Sequence, residues 1–268
     1  MEDFSQYNGG GTILRKVQLR LVDMLVEIDK ICRKHSIQYW ITFGTLLGAV
    51  RHGGFIPWDD DLDIGMPTND LKRFIEIAPK ELPEDLFLQT NETDPSFKRP
   101  IIRVRLKNSL FITPADDFTK DYNKGLYIDL FEAIPYPQVN PAFQRFLFKW
   151  YVKTDSFFYF RQHVTLKNHI AAIIFPIINL GCNIIWFILN LGPKNNVGYK
   201  KQLNNVGTVY TKDMVFPLKD IQFEGHTFLG PADPDNCLKA SYGDYMKIPP
   251  KEKRQSHMRH VELDCTML

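Results

Sequence analysis

The chain has 268 residues, 44% hydrophobic and 24% charged, with a formal net charge of +2. These values exclude a disordered or collagen-like polypeptide and allow one large domain or a catalytic domain with an appendage. The cysteines, Cys32, Cys182, Cys237 and Cys265, form no CxxC pair and no framework spacing, so free thiols in a reducing compartment are expected. The opening Met1-Glu2-Asp3-Phe4-Ser5-Gln6 is acidic and polar, without the basic and apolar regions of a secretory signal, and a cytoplasmic location is the expectation.

In chain order, Leu14, Val17, Leu21, Met24, Leu25, Ile28, Ile31 and Cys32 recur at helical spacing and predict an amphipathic helix over about 12–35. Gln38 to Thr42 reads as a short strand. Phe43 to His52 reads as a glycine turn opening a short helix, which the Gly53-Gly54 pair ends. Next comes Trp58-Asp59-Asp60-Asp61-Leu62-Asp63-Ile64-Gly65-Met66, an acidic run entering a strand. Thr68 is placed as the N-cap of a helix carrying Leu71, Phe74, Ile75 and Ala78. Ile102, Val104 and Leu106 alternate with Arg103 and Arg105, predicting a strand with one apolar and one cationic face. Gly125 to Phe131 predicts another strand, with Ile128 and Leu130 opposite Tyr127, Asp129 and Phe131.

The acidic run points to chemistry. Alternation puts Leu62, Ile64 and Met66 on one strand face and Asp61 with Asp63 on the other, where two carboxylates repel unless a cation lies between them. A solvated turn is the competing reading, and it suits Asp59 and Asp60, which are expected to be loop groups or groups behind the ligands. Asp129 is a lone acid on an apolar strand. It reads equally as a structural Asp satisfied by backbone amides or as a third metal ligand. Gly44 and Thr45 open a helix whose free amides suit a phosphate, although such a turn can also be only a tight connection. A phosphate cradle, a carboxylate pair and a later third carboxylate together are the layout of polymerase-β-type nucleotidyltransferases. An α+β mixed sheet flanked by helices is therefore the expected fold.

The run from Phe43-Gly44-Thr45-Leu46-Leu47-Gly48 through Phe55-Ile56-Pro57-Trp58-Asp59-Asp60-Asp61-Leu62-Asp63-Ile64-Gly65 resembles the signature of the LicD family. That family contains phosphocholine transferases and is related to fukutin-type ribitol-phosphate transferases. Tyr127-Ile128-Asp129-Leu130-Phe131 resembles its third-carboxylate strand, and Phe223-Glu224-Gly225, Tyr242-Gly243-Asp244-Tyr245-Met246 and Pro249-Pro250 resemble later landmarks. The resemblance implies a catalytic core over 1–138, a helical insertion over 139–201 and a C-terminal part of the same domain over 202–268. It implies Mg²⁺-dependent transfer of a phospho-alcohol from a CDP-activated donor, typically CDP-choline, to a hydroxyl of a surface glycan or its lipid-linked precursor, with release of CMP; Mn²⁺ is the alternative metal. Asp61, Asp63 and Asp129 would be catalytic residues and metal ligands. Gly44, Thr45, Arg51, Arg103 and Arg105 would bind donor phosphate, exposed surface arginines being the commoner case. The metal constellation alone leaves open a nucleotidyltransferase that releases pyrophosphate, and a non-catalytic glycan- or membrane-binding relative is the third reading.

The segment from 142 to 192 is the least family-like. Between Asn140 and Lys201, eight basic residues (Arg145, Lys149, Lys153, Arg161, Lys167, Lys194, Lys200, Lys201) face one acid, Asp155, so the remainder of the chain is about five units acidic. Ile170 to Leu191 is apolar but broken by Pro176, Gly181 and asparagines. It reads either as a helical pair in a membrane interface or as a helical subdomain, rather than as a span. His257 and His260 lack further spaced ligands for zinc and read as solvated tail residues. No nucleic-acid partner is expected, because the basic segment is too apolar and has no recognised motif. Tyr39, Trp40, Trp58, Tyr122 and Tyr127 are available for a choline box, core packing being their commoner role.

Overall fold

The structure is a computed structural model that describes residues 3–159, 166–199 and 208–263. Arg161, Lys200, Lys201 and Cys265 lie outside the described residues. The chain divides into two compact units, residues 1–132 with 216–268 and residues 133–215.

The first unit begins with a single turn, α1 (Ser5–Asn8), followed by α2 (Ile13–Lys34). Thr12 caps α2 by accepting the Arg15 N–H at 3.2 Å, and Val17, Leu21, Leu25, Ile28 and Cys32 bury one helical stripe completely. There follow β1 (Trp40–Ile41), α3 (Phe43–His52), β2 (Asp63–Pro67), α4 (Thr68–Glu81), β3 (Leu86–Gln89), β4 (Ile102–Leu106), β5 (Leu110–Ile112) and β6 (Tyr127–Tyr136). The sheet order is β1-β2-β6-β4-β3, so β6 lies between the acidic strand and the arginine strand. β1 runs antiparallel to β2, and β4 runs antiparallel to both β3 and β6. This is an α+β arrangement.

Three expectations are corrected locally. The acidic strand begins at Asp63, leaving Asp61 in the preceding loop, although Leu62, Ile64 and Met66 are fully buried as the alternation requires. Thr68 is the first residue of α4 rather than its cap, and its hydroxyl donates to Glu132 at 2.9 Å. The arginine face of β4 is not solvated: Arg103 and Arg105 are buried along with Val104 and Leu106.

The second unit starts within β6, whose last residues, Ala133 to Tyr136, pair with β7 (Asn196–Tyr199), which in turn pairs with β8 (Val209–Thr211). Before β7 come α5 (Pro141–Tyr159) and α6 (Leu166–Leu189), and a short α7 (Lys212–Val215) closes the unit. Contacts of Phe157 with Phe175, Thr154 with Asn179, and Phe148 with Trp186 run in opposite chain directions, so α5 and α6 form an antiparallel pair. Tyr136, Leu147, Phe148, Tyr151 and Cys182 make its core. Ile170–Leu189, with mean hydropathy 2.2, is long and apolar enough to cross a membrane.

The chain then returns to the first unit with β9 (Lys219–Phe223), β10 (His226–Gly230), α8 (Pro234–Tyr242), a single 3₁₀ turn at Lys251–Lys253 and β11 (His260–Glu262). β9 and β10 form a hairpin turning through Glu224 and Gly225, both at positive φ, and β11 pairs with β5. Cys32, Cys182 and Cys237 are buried free thiols.

Candidate active site

The loop from Gly53 to Leu62, between α3 and β2, carries three of the four carboxylates of the acidic run, and it is braced from both sides. Gln18 of α2 donates to the Asp59 carbonyl at 2.8 Å. Arg15 of α2 grips Glu224 of the β9–β10 turn in a bidentate pair at 2.7 and 3.0 Å, and Glu224 accepts the Phe55 N–H at 2.9 Å. Within α3, a Cβ added to Gly48 would lie 2.4 Å from the Gly54 carbonyl oxygen, so only glycine lets the loop close on the helix.

The four carboxylates have distinct surroundings. Asp60 is buried and accepts hydrogen bonds from the Ser256 hydroxyl and from the backbone N–H groups of His257 and Met258. The His257 Nδ1 lies 3.3 Å from Asp60 and 3.5 Å from Asp61. Although burial disfavours the Asp60 anion, the bonds from His257, Ser256 and Met258 outweigh it and hold this carboxyl below its ordinary range. The other three shift the opposite way. Burial and the charges of Asp61 and Asp60 push Asp59 well up, while burial and the charges of Asp61, Asp129 and Asp59 do the same to Asp63. Burial, opposed by His257 and reinforced by Asp60 and Asp129, pushes Asp61 up to about 6. The hydrogen bond to Asp60 raises His257 to about 9. Every one of these shifts except that of Asp60 favours binding a proton, so the site is strongly attractive to cations.

Ligand atoms of Asp59, Asp61 and His257 lie within 4.8 Å of one another, and this group could hold a metal ion. Two carboxylate oxygens and one imidazole suit a hard or borderline divalent cation. Asp129 stands close enough to Asp63 for its charge to raise the cost of ionising Asp63, and the Asp129 N–H donates to the Leu62 carbonyl at 3.0 Å, which ties β6 to the acidic segment. Asp129 lies directly across from Arg103 in the β4–β6 register and accepts its Nε–H at 2.6 Å. The Asp129 carboxylate outweighs burial and keeps Arg103 charged, and the Arg103 guanidinium lies 3.7 Å from the Tyr127 ring centroid.

The phosphate-binding candidates divide. Gly44, in the first turn of α3, faces the acids: a Cβ there would lie 2.8 Å from Asp59 Oδ2 and 4.0 Å from Asp61 Oδ1. Thr45 is buried, and its hydroxyl accepts the Asp63 N–H at 2.9 Å. Arg51 donates to the Tyr245 carbonyl at 2.7 Å and to His52 Nε2 at 2.9 Å; burial and Arg51 pull His52 down to about 4, leaving it neutral and able to accept. Arg105 donates to Gln89 and to the Gly125 carbonyl, and burial beside Arg103 draws it below its usual range. The three arginines are therefore engaged within the first unit. The aromatic candidates are engaged too: Tyr39 and Trp40 are buried, the Tyr122 hydroxyl donates to Asp116, Tyr127 lies under Arg103, and Trp58 meets Phe4 and Tyr7 edge-on.

Sequence reasoning found no role for His257, whose side chain is exposed as expected of a tail residue yet lies beside Asp60 and Asp61, and it placed Asp60 among the loop groups behind the ligands without seeing its C-terminal partners, the bonds from Ser256, His257 and Met258. No spacing rule could have found either one, because the partners are 196 to 198 positions apart. The signal that was available was Ser256-His257-Met258 ending a basic stretch in a chain with an unexplained acidic run.

Residues 36–131 match the family described as LicD/FKTN/FKRP, nucleotidyltransferase domain, a span that contains Gly44, the acidic run and Asp129. The lipopolysaccharide cholinephosphotransferase LicD of Haemophilus influenzae is 26% identical over 265 residues, covering 93% of this chain and 96% of that protein. The human ribitol 5-phosphate transferase FKRP is 51% identical over 36 residues, 13% of this chain and 7% of its own length. Mannosyltransferase regulator 4 of Saccharomyces cerevisiae is 34% identical over 58 residues, 22% of this chain and 5% of its own.

Proposed function

Residues 36–131 being a domain of the LicD/FKTN/FKRP family, we propose that this protein transfers a phospho-alcohol from a CDP-activated donor to a hydroxyl of a glycan or its lipid-linked precursor in the cytoplasm, releasing CMP. Phosphocholine is the first cargo to test, since the relative similar over nearly the whole chain is named a cholinephosphotransferase. The observation that carries the reading is a carboxylate cluster, three of whose members are pushed toward the protonated form, inside the segment that matches this domain.

Asp61 and Asp63, with Asp129, are assigned as the catalytic carboxylates and, together with Asp59 and His257, as the groups that would hold Mg²⁺ or Mn²⁺ on a polymerase-β-like core. A bound divalent cation would neutralise diphosphate charge as it develops. The first turn of α3, at Gly44 and Thr45, offers backbone amides to the donor phosphates, and the glycine leaves room for them beside the acids. Arg51, Arg103 and Arg105 act on those phosphates through their positive field while they keep their internal partners. Asp129, oriented by Arg103, takes the proton of the attacking acceptor hydroxyl. Oxygen attack on the distal phosphorus then expels CMP.

The test is incubation of the purified protein with Mg²⁺, a cell-envelope glycan extract and, in turn, CDP-choline, CDP-ethanolamine, CDP-glycerol, CDP-ribitol and CTP. CMP release with label appearing in glycan is the expected result. Pyrophosphate from CTP would make the protein a nucleotidyltransferase instead, and absence of both turnover and donor binding would make it a non-catalytic relative.

A further inference from the structure

Helix α6 is apolar around its whole circumference, yet only one side of it is covered. Phe175, Ile178, Cys182, Trp186 and Leu189 form a stripe against α5. On the opposite side Ile173, Ile177, Leu180, Ile184, Phe187 and Ile188 are exposed, Ile173 at 71% and Ile177 at 68%. The spacing of three and four residues makes them one continuous strip, running most of the roughly 30 Å that twenty helical residues span. Such a strip is too large to be scattered surface apolarity and needs a cover.

Two observations identify that cover. The first is polarity. From Asn168 to Pro193 the sequence contains no Asp, Glu, Lys or Arg. Asn179 and Asn183 of α6 and Asn190 of the turn after it make their bonds inside the pair: Asn179 donates to Thr154 at 3.0 Å, Asn183 to the Asn179 carbonyl at 2.9 Å and Asn190 to the Trp186 carbonyl at 2.9 Å. The bare strip therefore presents no hydrogen-bonding side chain, whereas protein interfaces carry about one hydrogen bond per 100–200 Å². Hydrocarbon asks for none. The second observation is charge. On α5, Arg145, Lys149 and Lys153 recur every four residues and are all exposed, and none forms an ion pair with a described residue. Lys153 lies 4.8 Å from the Trp150 ring and 6.0 Å from Phe175 of α6, so this cationic row borders the apolar helix.

We propose that the α5–α6 pair docks the protein onto an anionic lipid bilayer, with α6 lying in the interface, its bare strip among the acyl chains and the α5 cations against lipid phosphates. The pair does not span. Because the helices are antiparallel and packed along their length, a spanning α6 would drag Arg145, Lys149 and Lys153 into the hydrocarbon. This surface does not depend on the transfer reaction, and its test needs no substrate.

The experiment is flotation of the full chain with phosphatidylcholine vesicles, with and without phosphatidylglycerol. Co-flotation with the anionic vesicles is expected, weakened by high salt and at least about tenfold tighter than with the neutral ones. The triple variant R145Q/K149Q/K153Q, which changes only exposed side chains, should lower affinity by about a hundredfold. I177E/L180E should abolish binding with an unchanged far-UV circular dichroism spectrum. Failure of the wild-type chain to float with either vesicle overturns the proposal, as does binding to both vesicles that the triple variant leaves untouched. Retention on the membrane through an alkaline carbonate wash would mean a span, and a dimer in solution that buries the strip and prevents binding would mean a second copy; either overturns interfacial docking.

Discussion

At the scale of single residues, Asp59, Asp60, Asp61 and Asp63 are the same amino acid within five positions, and their environments divide the work. Asp60 gains enough hydrogen bonds to stay ionised, while burial and mutual repulsion push the other three toward protonation. Asp61→Asn should therefore leave the melting temperature of the metal-free protein unchanged or raise it, while abolishing turnover and the stabilisation given by Mg²⁺ or Mn²⁺; thermal shift with and without metal separates the two effects. The same shifts set a pH dependence. Groups whose folded-state values are raised bind more protons folded than unfolded, so their contribution to stability falls as pH rises. For the carboxyls the loss begins near pH 4 and runs through about 6 at Asp61; for His257 it is present below about 6.5 and lost as pH rises through about 9. Because His52, drawn down to about 4, adds stability as pH rises to about 6.5, the metal-free melting temperature should decline chiefly between pH 6.5 and 9, and saturating Mg²⁺ should flatten that decline, which a buffer series would measure. Alternation put Asp61 and Asp63 on one strand face; Asp61 instead lies in the loop before β2, from which its charge still raises Asp63. The roles of Asp60 and His257 were not legible, since hydrogen-bond partners nearly two hundred positions apart leave no local trace.

At the scale of elements, the amphipathic α2, the short α3 ended by glycine at positive φ and the buried face Leu62, Ile64, Met66 all follow from local patterning. The arginine strand β4 does not. Its alternation correctly places Arg103 and Arg105 on one face, but nothing in five residues reveals that Asp129, Gln89 and Tyr127 cover that face. The β9–β10 turn is another such case: Phe223-Glu224-Gly225 reads as a motif, and its physical content is the clamp from Arg15 to Glu224 to the Phe55 N–H that fixes the acidic loop. Glu224→Gln and Arg15→Leu should each destabilise the protein by about 1–3 kcal/mol, with a coupling energy in the double-mutant cycle read from urea melts. A purely surface role for this pair would give additive effects close to zero.

At the scale of the whole molecule, the first unit is closed by contacts between the ends of its chain. The segment at 256–258 reaches back to cover Asp60, and β11 pairs with β5. Ending the chain at residue 255 should strip the buried Asp60 of its donors and cost several kcal/mol, seen as a lowered melting temperature. Adding Mg²⁺ should restore less of that loss than it contributes to the intact chain, because His257 leaves with the segment. In the second unit the hydropathy of Ile170–Leu189 was plain in the sequence, but which side of α6 lies bare depends on how α5 packs against it.

By itself the sequence determined the order and type of the main elements, the run of four carboxylates within five residues, the glycine that opens α3 and the resemblance to LicD-type transferases. These rest on periodicity and on short contiguous spacings, which burial imposes along one element at a time. The tertiary structure alone decided that His257 and Asp59 join Asp61, that Arg103 is committed to Asp129, that Asp60 fastens the C-terminal segment, and that α6 keeps one apolar side uncovered. Each of these is a contact between elements. Strand register and helix packing fix such contacts, and no stretch of sequence shorter than the whole fold contains them.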